Sequence, residues 1–367
     1  MKLEIQKEKI LEAVNTTEKF SSKHISLPIL SQILFTVEGN KLTIKATNLD
    51  VGIEYYIAVK NEKTEECSFA VSPQALKAFL TNVNEKNVSF EFTDNVLHIS
   101  AGTSFATITT QAPDDFPNIP KIEDGEKKYI PAKMYVDGVQ SVLYSASVSL
   151  IKPELSSIYM YPEGDELIFV ATDSFRLAEK RFKTLKKNLS EFVLLPYKNA
   201  LEVARVLEAI HDDVEVVLNK NQITFRAGDV FISSRAVDGV FPDYKQIIPK
   251  TFGSEVMLLK EDLLKALKLT SGFLDKFQQV VFVVSPQEKK ISIKTKGGVD
   301  GEASQIVKVN GTGEEITITF NHKYIVDCLQ SIKSESVQIK LVGNNKPVII
   351  TEASSPSFTY LVMPMNR

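Results

Sequence analysis

Glu38-Gly-Asn-Lys-Leu-Thr-Ile-Lys-Ala-Thr-Asn48 is matched further along the chain by Glu163-Gly-Asp-Glu-Leu-Ile-Phe-Val-Ala-Thr-Asp173. A fainter third copy reads Gln287-Glu-Lys-Lys-Ile-Ser-Ile-Lys-Thr-Lys296. The copies stand about 125 residues apart. That is far beyond a solenoid unit of about 20–50 residues, so each repeat is the size of a domain. A second marker recurs in the same order. Asn87-Val-Ser-Phe-Glu-Phe92 leads into Phe116-Pro-Asn-Ile-Pro120, and Asp213-Val-Glu-Val-Val-Leu218 leads into Phe241-Pro-Asp-Tyr244. Ser336-Val-Gln-Ile-Lys-Leu341 leads into the C-terminal Tyr360-Leu-Val-Met-Pro-Met365. Two ordered markers give three similar domains, with boundaries expected at 1–125, 126–251 and 252–367.

Inside each repeat, strand signals dominate. Leu42–Ala46 and Val88–Phe92 alternate apolar and polar residues at period two, beside turn residues. Val280–Val284 is a continuous apolar run, as expected of a strand covered on both faces. Two helical stretches per repeat are predicted: 6–19 and 72–83, 131–147 and 196–209, 260–272 and 321–333. Ser72-Pro73, Pro196 and Asn321 supply helix-entry chemistry. The fold class is α+β, each domain setting two helices against antiparallel sheets.

The composition, 43% hydrophobic and 24% charged, is that of an ordinary globular protein. No apolar run reaches the about 18 residues that would suggest a membrane span. The charged start, Met1-Lys-Leu-Glu-Ile-Gln-Lys, lacks the apolar region of a signal peptide. Cys67 and Cys328 lie in different repeats and are expected to be reduced thiols. These features lead us to expect a cytoplasmic chain with no membrane partner.

The net charge of −3 argues against a tight, uniformly basic nucleic-acid binder. Any nucleic-acid contact must therefore be weak or confined to one surface. The helix faces offer one. On the stretch from Pro196, Ala200, Val203, Ala204 and Leu207 gather on one side at about 100° per residue, and Lys198 and Arg205 fall opposite. Lys265 and Lys268, and Lys323 with Gln330, sit likewise outside apolar stripes. A solvated face is the plain reading of any one such lysine; their recurrence suggests a phosphate track without base reading.

Catalytic chemistry is sparse. His24, His98, His211 and His322 are not at metal-ligand spacing, and no phosphate loop or nucleophile elbow occurs. The glycine cluster Gly297–Gly301 lacks a helix to open. Asp114-Asp115 and Asp212-Asp213 are the only candidates for a metal-dependent hydrolase, and paired carboxylates more often mark solvated loops. No metal or cofactor is expected. A purely structural ring unconnected to DNA is the third alternative.

Four strings in order, Leu27-Pro-Ile-Leu30, Val170-Ala-Thr-Asp-Ser-Phe-Arg-Leu177, Val237-Asp-Gly-Val-Phe-Pro-Asp-Tyr244 and Tyr360-Leu-Val-Met-Pro-Met365, closely resemble the bacterial DNA polymerase III beta subunits, the sliding clamps. The resemblance covers the whole chain. It implies a ring formed as a head-to-tail homodimer, with helices lining a hole around double-stranded DNA. Such a ring holds DNA by enclosing it and needs only weak attraction to phosphates, which reconciles the acidic total with basic helix faces.

By the same resemblance, the DNA-facing residues are Lys23, His24, Lys198 and Arg205; Lys23-His24 stands where the family commonly has arginine. Pro153-Glu154 follows Lys152 where relatives can carry tyrosines. A hydrophobic pocket between the second and third domains would take short linear motifs of the replicative polymerase alpha subunit, the clamp loader, other polymerases and repair proteins. Its residues are Leu155, Thr172, Ser174, Phe175, Arg176, Leu177, Pro242, Gln246, Ile247, Val362, Met363, Pro364 and Met365. Phe175 replaces a common histidine and Gln246 a common arginine, so the rim is more apolar; the tail ends Asn366-Arg367 where Arg-Leu is frequent. Without the resemblance, Val362–Met365 reads as a strand edge completing a core. The dimer contact is expected at Ile108, Phe273 and Leu274.

Overall fold

The computed structural model describes residues 2–61, 66–184, 191–295, 301–353, 355 and 357–365. Residues 297–300 of the glycine cluster and the tail Asn366-Arg367 lie outside them. Among the described residues are six α-helices: α1 (Lys7–Glu18), α2 (Pro73–Asn82), α3 (Ala132–Val142), α4 (Tyr197–Leu207), α5 (Lys260–Thr270) and α6 (His322–Ser331). Each repeat contributes two, where the periodicity predicts them.

Local chemistry sets the helix starts. The Ser72 hydroxyl accepts from the Ala75 N–H with Pro73 as the first residue of α2, and the Asn321 amide oxygen accepts from the Lys323 N–H before α6. Pro196 behaves differently from expectation. It closes the strand Val193–Pro196 opposite Ser157, and α4 begins one residue later. That strand is the outermost of its sheet, where the missing proline N–H leaves no ladder bond unmade.

The threefold repeat is written into the backbone. The N–H groups of Lys7, Ala132 and Lys260 donate to the carbonyls of Lys86, Asp212 and Glu335. Each donor sits at a helix start, and each acceptor immediately precedes a strand. The turn in the opening motif also recurs in the second repeat: Gly39 and Gly164 take φ of 56° and 62°, each in a two-residue turn, Glu38 opposite Lys41 and Glu163 opposite Glu166. Glycine adopts this left-handed conformation freely; the third copy departs from it, closing Ser285 against Lys290 by a four-residue turn in which Lys289 takes φ 53°.

Three sequence repeats pack as two compact units, Met1–Lys133 with Lys198–Ala236, and Met134–Tyr197 with Val237–Arg367. Sheet pairing across repeats is the reason. In the first unit, strand Val51–Ala58 pairs with Val230–Arg235 of the middle repeat, Val51 opposite Ser234, within an eight-stranded sheet. In the second, strand Arg176–Lys183 pairs with Phe358–Val362 of the last repeat, Arg176 opposite Val362, within a nine-stranded sheet. A five-stranded sheet completes the first unit and ends on strand Ser104–Thr109; a four-stranded sheet completes the second and ends on Ser304–Lys308. Every strand pairing among the described residues is antiparallel.

The cores lie between sheets and helices. In the first unit Phe35 stacks on Phe69 at 5.4 Å between ring centres, and Ile10, Ala13, Val14, Leu76 and Leu80 of α1 and α2 are buried. In the second, Leu263, Ala266 and Leu267 of α5 and Ile325, Cys328 and Leu329 of α6 are buried, with burial pushing the Cys328 thiol well up. Strand Gln279–Ser285 carries the apolar run of the third repeat and lies inside its sheet, between Lys290–Lys294 and Ile316–Asn321. Among the described residues no helix is long and apolar enough to cross a membrane.

Candidate functional site

In the second unit the Ala171-Thr172-Asp173 end of the opening motif becomes a tight loop. The Thr172 hydroxyl donates to the Arg176 carbonyl at 2.7 Å and accepts the Ser174 N–H at 3.2 Å. One Asp173 carboxylate oxygen accepts the N–H groups of Phe175 and Arg176 at 2.9 and 3.0 Å. Ser174 is left at φ 76°. This local bonding of Asp and Thr side chains to their own backbone is typical of turn-forming residues.

The C-terminal segment is stitched to this loop. Beyond the Arg176–Val362 pair, the Met363 N–H donates to the Phe175 carbonyl at 2.8 Å, and the Met365 N–H to the Thr319 carbonyl at 2.8 Å. Val362 is therefore a strand end, as the plain reading expects, and Met363–Met365 runs on from it beside the Phe175 loop.

Arg176 anchors the whole. Its Nε bonds Asp173 Oδ2 at 3.0 Å and its Nη1 bonds Asp327 Oδ2 at 2.8 Å. The guanidinium lies over the Tyr324 ring at 4.2 Å, with Tyr144 at 5.7 Å. Burial opposes its charge, but the hydrogen bond from Arg176 to Asp327 and the nearby Asp173 more than offset that, and the guanidinium is held above its usual value. Asp173, Asp327, Tyr144 and Tyr324 were not singled out by sequence reasoning. Only Asp173 carried a signal, as part of the repeated Ala-Thr-Asn/Asp.

The floor is a closed apolar cluster. Leu177 packs with Ile168, Val170, Phe241, Tyr244, Ile349 and Leu361. Tyr244 is fixed there by donating to the Glu179 carboxylate, with the Tyr161 hydroxyl 2.7 Å away. Burial and the Glu179 charge push its phenol well up. Tyr244 opens the short 3-10 turn Tyr244–Ile247, so its anchoring sets Gln246 and Ile247 at the surface. The Gln246 amide donates to Asp243 Oδ2 at 2.6 Å.

The thirteen sequence-named residues thus separate by height. Leu155, Thr172, Arg176, Leu177 and Val362 are buried. Phe175 is 62% exposed and Met363 37%, with Ser174, Pro242, Gln246 and Ile247 also at the surface and Pro364 and Met365 half-buried. Leu155 stands just ahead of strand Ser157–Glu163, which pairs with the strand ending at Thr172.

Lys198 and Arg205 project from α4 in the first unit, with Ala200, Val203, Ala204 and Leu207 buried on the other side. Arg205 is not an open charge, because Glu202 accepts from its Nη1 at 2.6 Å. Lys23 and His24 are exposed in the loop after α1. The edge strand Ser104–Thr109 holds Ile108 half-buried, paired with the core residue Leu97, whereas Phe105 on the same strand is 82% exposed. Phe273 and Leu274 are at the surface and half-buried in the second unit, where Ile306 is exposed on edge strand Ser304–Lys308. Phe105 and Ile306 escaped the sequence reading, which cannot tell an edge strand from an inner one. Asp114, Asp115, Asp212 and Asp213 are solvent-exposed, and no metal-holding group of three His, Cys, Asp or Glu occurs among the described residues.

Three repeats, each with two helices on antiparallel sheets that close across repeat boundaries, define a DNA-clamp fold. The family comparison is equally direct: models of the N-terminal, central and C-terminal domains of the DNA polymerase III beta subunit match residues 1–120, 129–243 and 245–366, and the chain belongs to that family. It is 25% identical over 376 residues to the "Beta sliding clamp" of Bacillus subtilis, covering 100% of this chain and 99% of that one. The solved beta subunit of Thermotoga maritima superposes with a TM-score of 0.93 at 26% identity, covering 100% and 99% of the two chains. That of Pseudomonas aeruginosa gives 0.94 at 25% identity over the whole of both. The function is that of a sliding clamp, the processivity factor of a DNA polymerase.

Proposed function

We propose that the chain, with domains at 1–125, 126–251 and 252–367, is a cytoplasmic, non-catalytic clamp subunit that closes into a ring of two copies around duplex DNA. In this reading it tethers the replicative polymerase, and in turn the clamp loader, other polymerases and repair proteins, by short linear peptides. The pocket of the second unit receives them. The observation that carries this is the layering around Arg176. A loop locked by Thr172, Asp173 and Arg176 holds Phe175 and Met363 at the surface, over a floor closed by Leu177, Leu361 and Tyr244. An exposed apolar rim on a rigid floor suits a peptide that anchors a few apolar side chains, and methionine adapts to different ones.

Ring closure is supported by two sheet edges that are unpaired among the described residues, Ser104–Thr109 in one unit and Ser304–Lys308 in the other, each with an exposed apolar residue. Pairing one edge with the other edge of a second copy is a heterologous contact that closes after two copies. Lys198 and Lys23 then supply weak, sequence-independent attraction to phosphates, which permits sliding.

Fluorescence anisotropy with a labelled Gln-Leu-Asp-Leu-Phe peptide tests the pocket. Micromolar binding, about −8 kcal/mol, is expected for the native chain and is lost in Met363→Glu with Ile247→Glu, two surface changes that spare the floor. Equal binding by that double variant would refute the assignment.

A further inference from the structure

The loop that frames the peptide pocket has a twin in the first unit. The Thr47 hydroxyl donates to the Val51 carbonyl at 3.0 Å and accepts the Leu49 N–H at 3.1 Å. Asn48 Oδ1 accepts the N–H groups of Asp50 and Val51 at 3.0 and 2.9 Å. Leu49 takes φ 78°, where Ser174 takes 76°. The stitching strand recurs as well: the Arg235 N–H donates to the Asp50 carbonyl at 2.8 Å, as Met363 does to Phe175. Even the following bond is kept, the Val237 and Met365 N–H groups donating to the carbonyls of Leu194 and Thr319. Bond for bond, Asp50 stands in the place of Phe175, Gly52 in that of Leu177, and Arg235 in that of Met363.

A cavity of about 400 Å³ opens at this twin, walled by Leu49, Val51, Pro117, Pro120 and Ser233, with Arg235 at its edge. Ile119 fills the space beside Gly52 that a side chain such as Leu177 takes in the second unit: it comes within 2.9 Å of where a Cβ on Gly52 would sit. The chemistry of the mouth differs. In place of an apolar rim stand Arg235 and Asp50, both about two-thirds exposed and 3.8 Å apart. An exposed pair at that distance contributes little to stability, so both groups are available to a ligand.

We propose that this cavity is a second peptide-binding site, taking a short extended peptide in which an acidic side chain adjoins an aliphatic one. The carboxylate takes Arg235, a peptide N–H takes Asp50, and the aliphatic side chain enters between Leu49, Pro117 and Pro120. The comparison rests on reading the second-unit pocket as a peptide site. It assigns the two loops different tastes: apolar and aromatic in the second unit, acidic and aliphatic in the first.

Methyl NMR of the full chain separates the two, because Leu49 and Val51 report on one site and Leu177 and Val362 on the other. The probes are acetyl-Glu-Leu-Gly-amide, its Gln and Lys counterparts, and the Gln-Leu-Asp-Leu-Phe peptide. We expect the Glu probe to shift Leu49 and Val51 with half-saturation at about 1 mM. Arg235→Glu should weaken this at least about tenfold, with Arg235→Lys retaining most of it. Silence of Leu49 and Val51 toward all three short probes, or equal responses to Glu and Lys, overturns the second site. Silence of Leu177 and Val362 toward the longer peptide, with Leu49 responding to Glu, would instead refute the second-unit reading and leave this one standing.

Discussion

Replacing Arg176 by methionine keeps most of the side-chain volume and removes the charge. The structure gives the size of the effect. The guanidinium is buried, holds Asp173 at 3.0 Å and Asp327 at 2.8 Å, and covers the Tyr324 ring. Removing one partner of a buried pair costs about 3–5 kcal/mol, because the other charge stays uncompensated. Here both carboxylates keep some exposure, and Asp173 retains two backbone N–H donors. The lower end, about 3 kcal/mol, is therefore the expectation.

For a unit of this size that corresponds to a fall in Tm of about 6–12 °C, read by calorimetry as a shift of the transition belonging to the second unit. Peptide affinity should fall with it, since the loop carrying Phe175 loses its anchor. Adding Asp327→Asn should restore part of the stability, because it removes one stranded charge, and the double-mutant cycle measures the coupling. A Tm within about 2 °C of the native chain, or unchanged peptide affinity, would show that the loop does not depend on Arg176.

Phe105→Asp should yield monomers by light scattering, with Phe273→Asp, at a less exposed position, acting more weakly; an unaltered dimer mass for Phe105→Asp would remove edge Ser104–Thr109 from the interface. Lys198→Glu with Arg205→Glu should shorten retention on DNA, with the salt slope reduced by about 1. Because Glu202 already engages Arg205, the Lys198 change should carry most of the effect; equal single-variant effects would contradict this. Glu54 offers a pH test. Burial raises its carboxyl pKa, but hydrogen bonds from Lys121 and Tyr56 and the Lys45 charge outweigh it and hold the group below its ordinary 4.5. Its stabilisation is therefore complete above about pH 4.5 and is lost as pH falls through the lowered folded value. Glu54→Gln should be less stable than the native chain near neutrality and flatten the loss in acid, measured by urea midpoints; parallel curves would refute the assignment.

The repeat was legible because it is local. The hydrophobic period gave all six helices, the alternation at Leu42–Ala46 and Val88–Phe92 gave strands, and the helical wheel put Lys198 and Arg205 on the exposed side of α4. The motif end Ala-Thr-Asn/Asp even marked both loops that matter, though nothing in its letters says that one carboxylate or amide oxygen catches two N–H groups.

The sequence by itself determined the threefold repeat, the six helical stretches and the inward side of α4, α5 and α6, since helix periodicity depends on residues a few positions apart. The tertiary structure alone decided the partners. Val51 meets Ser234, Arg176 meets Val362, and the Arg176 charge is answered by Asp327 from 151 positions away. A period of two fixes which face of a strand is buried and leaves open which strand lies beside it. For that reason Leu177, named from the sequence with the pocket residues, lies buried in the apolar cluster beneath the Phe175 loop. For the same reason, the charged twin of the pocket in the first unit became visible only once the sheets were closed.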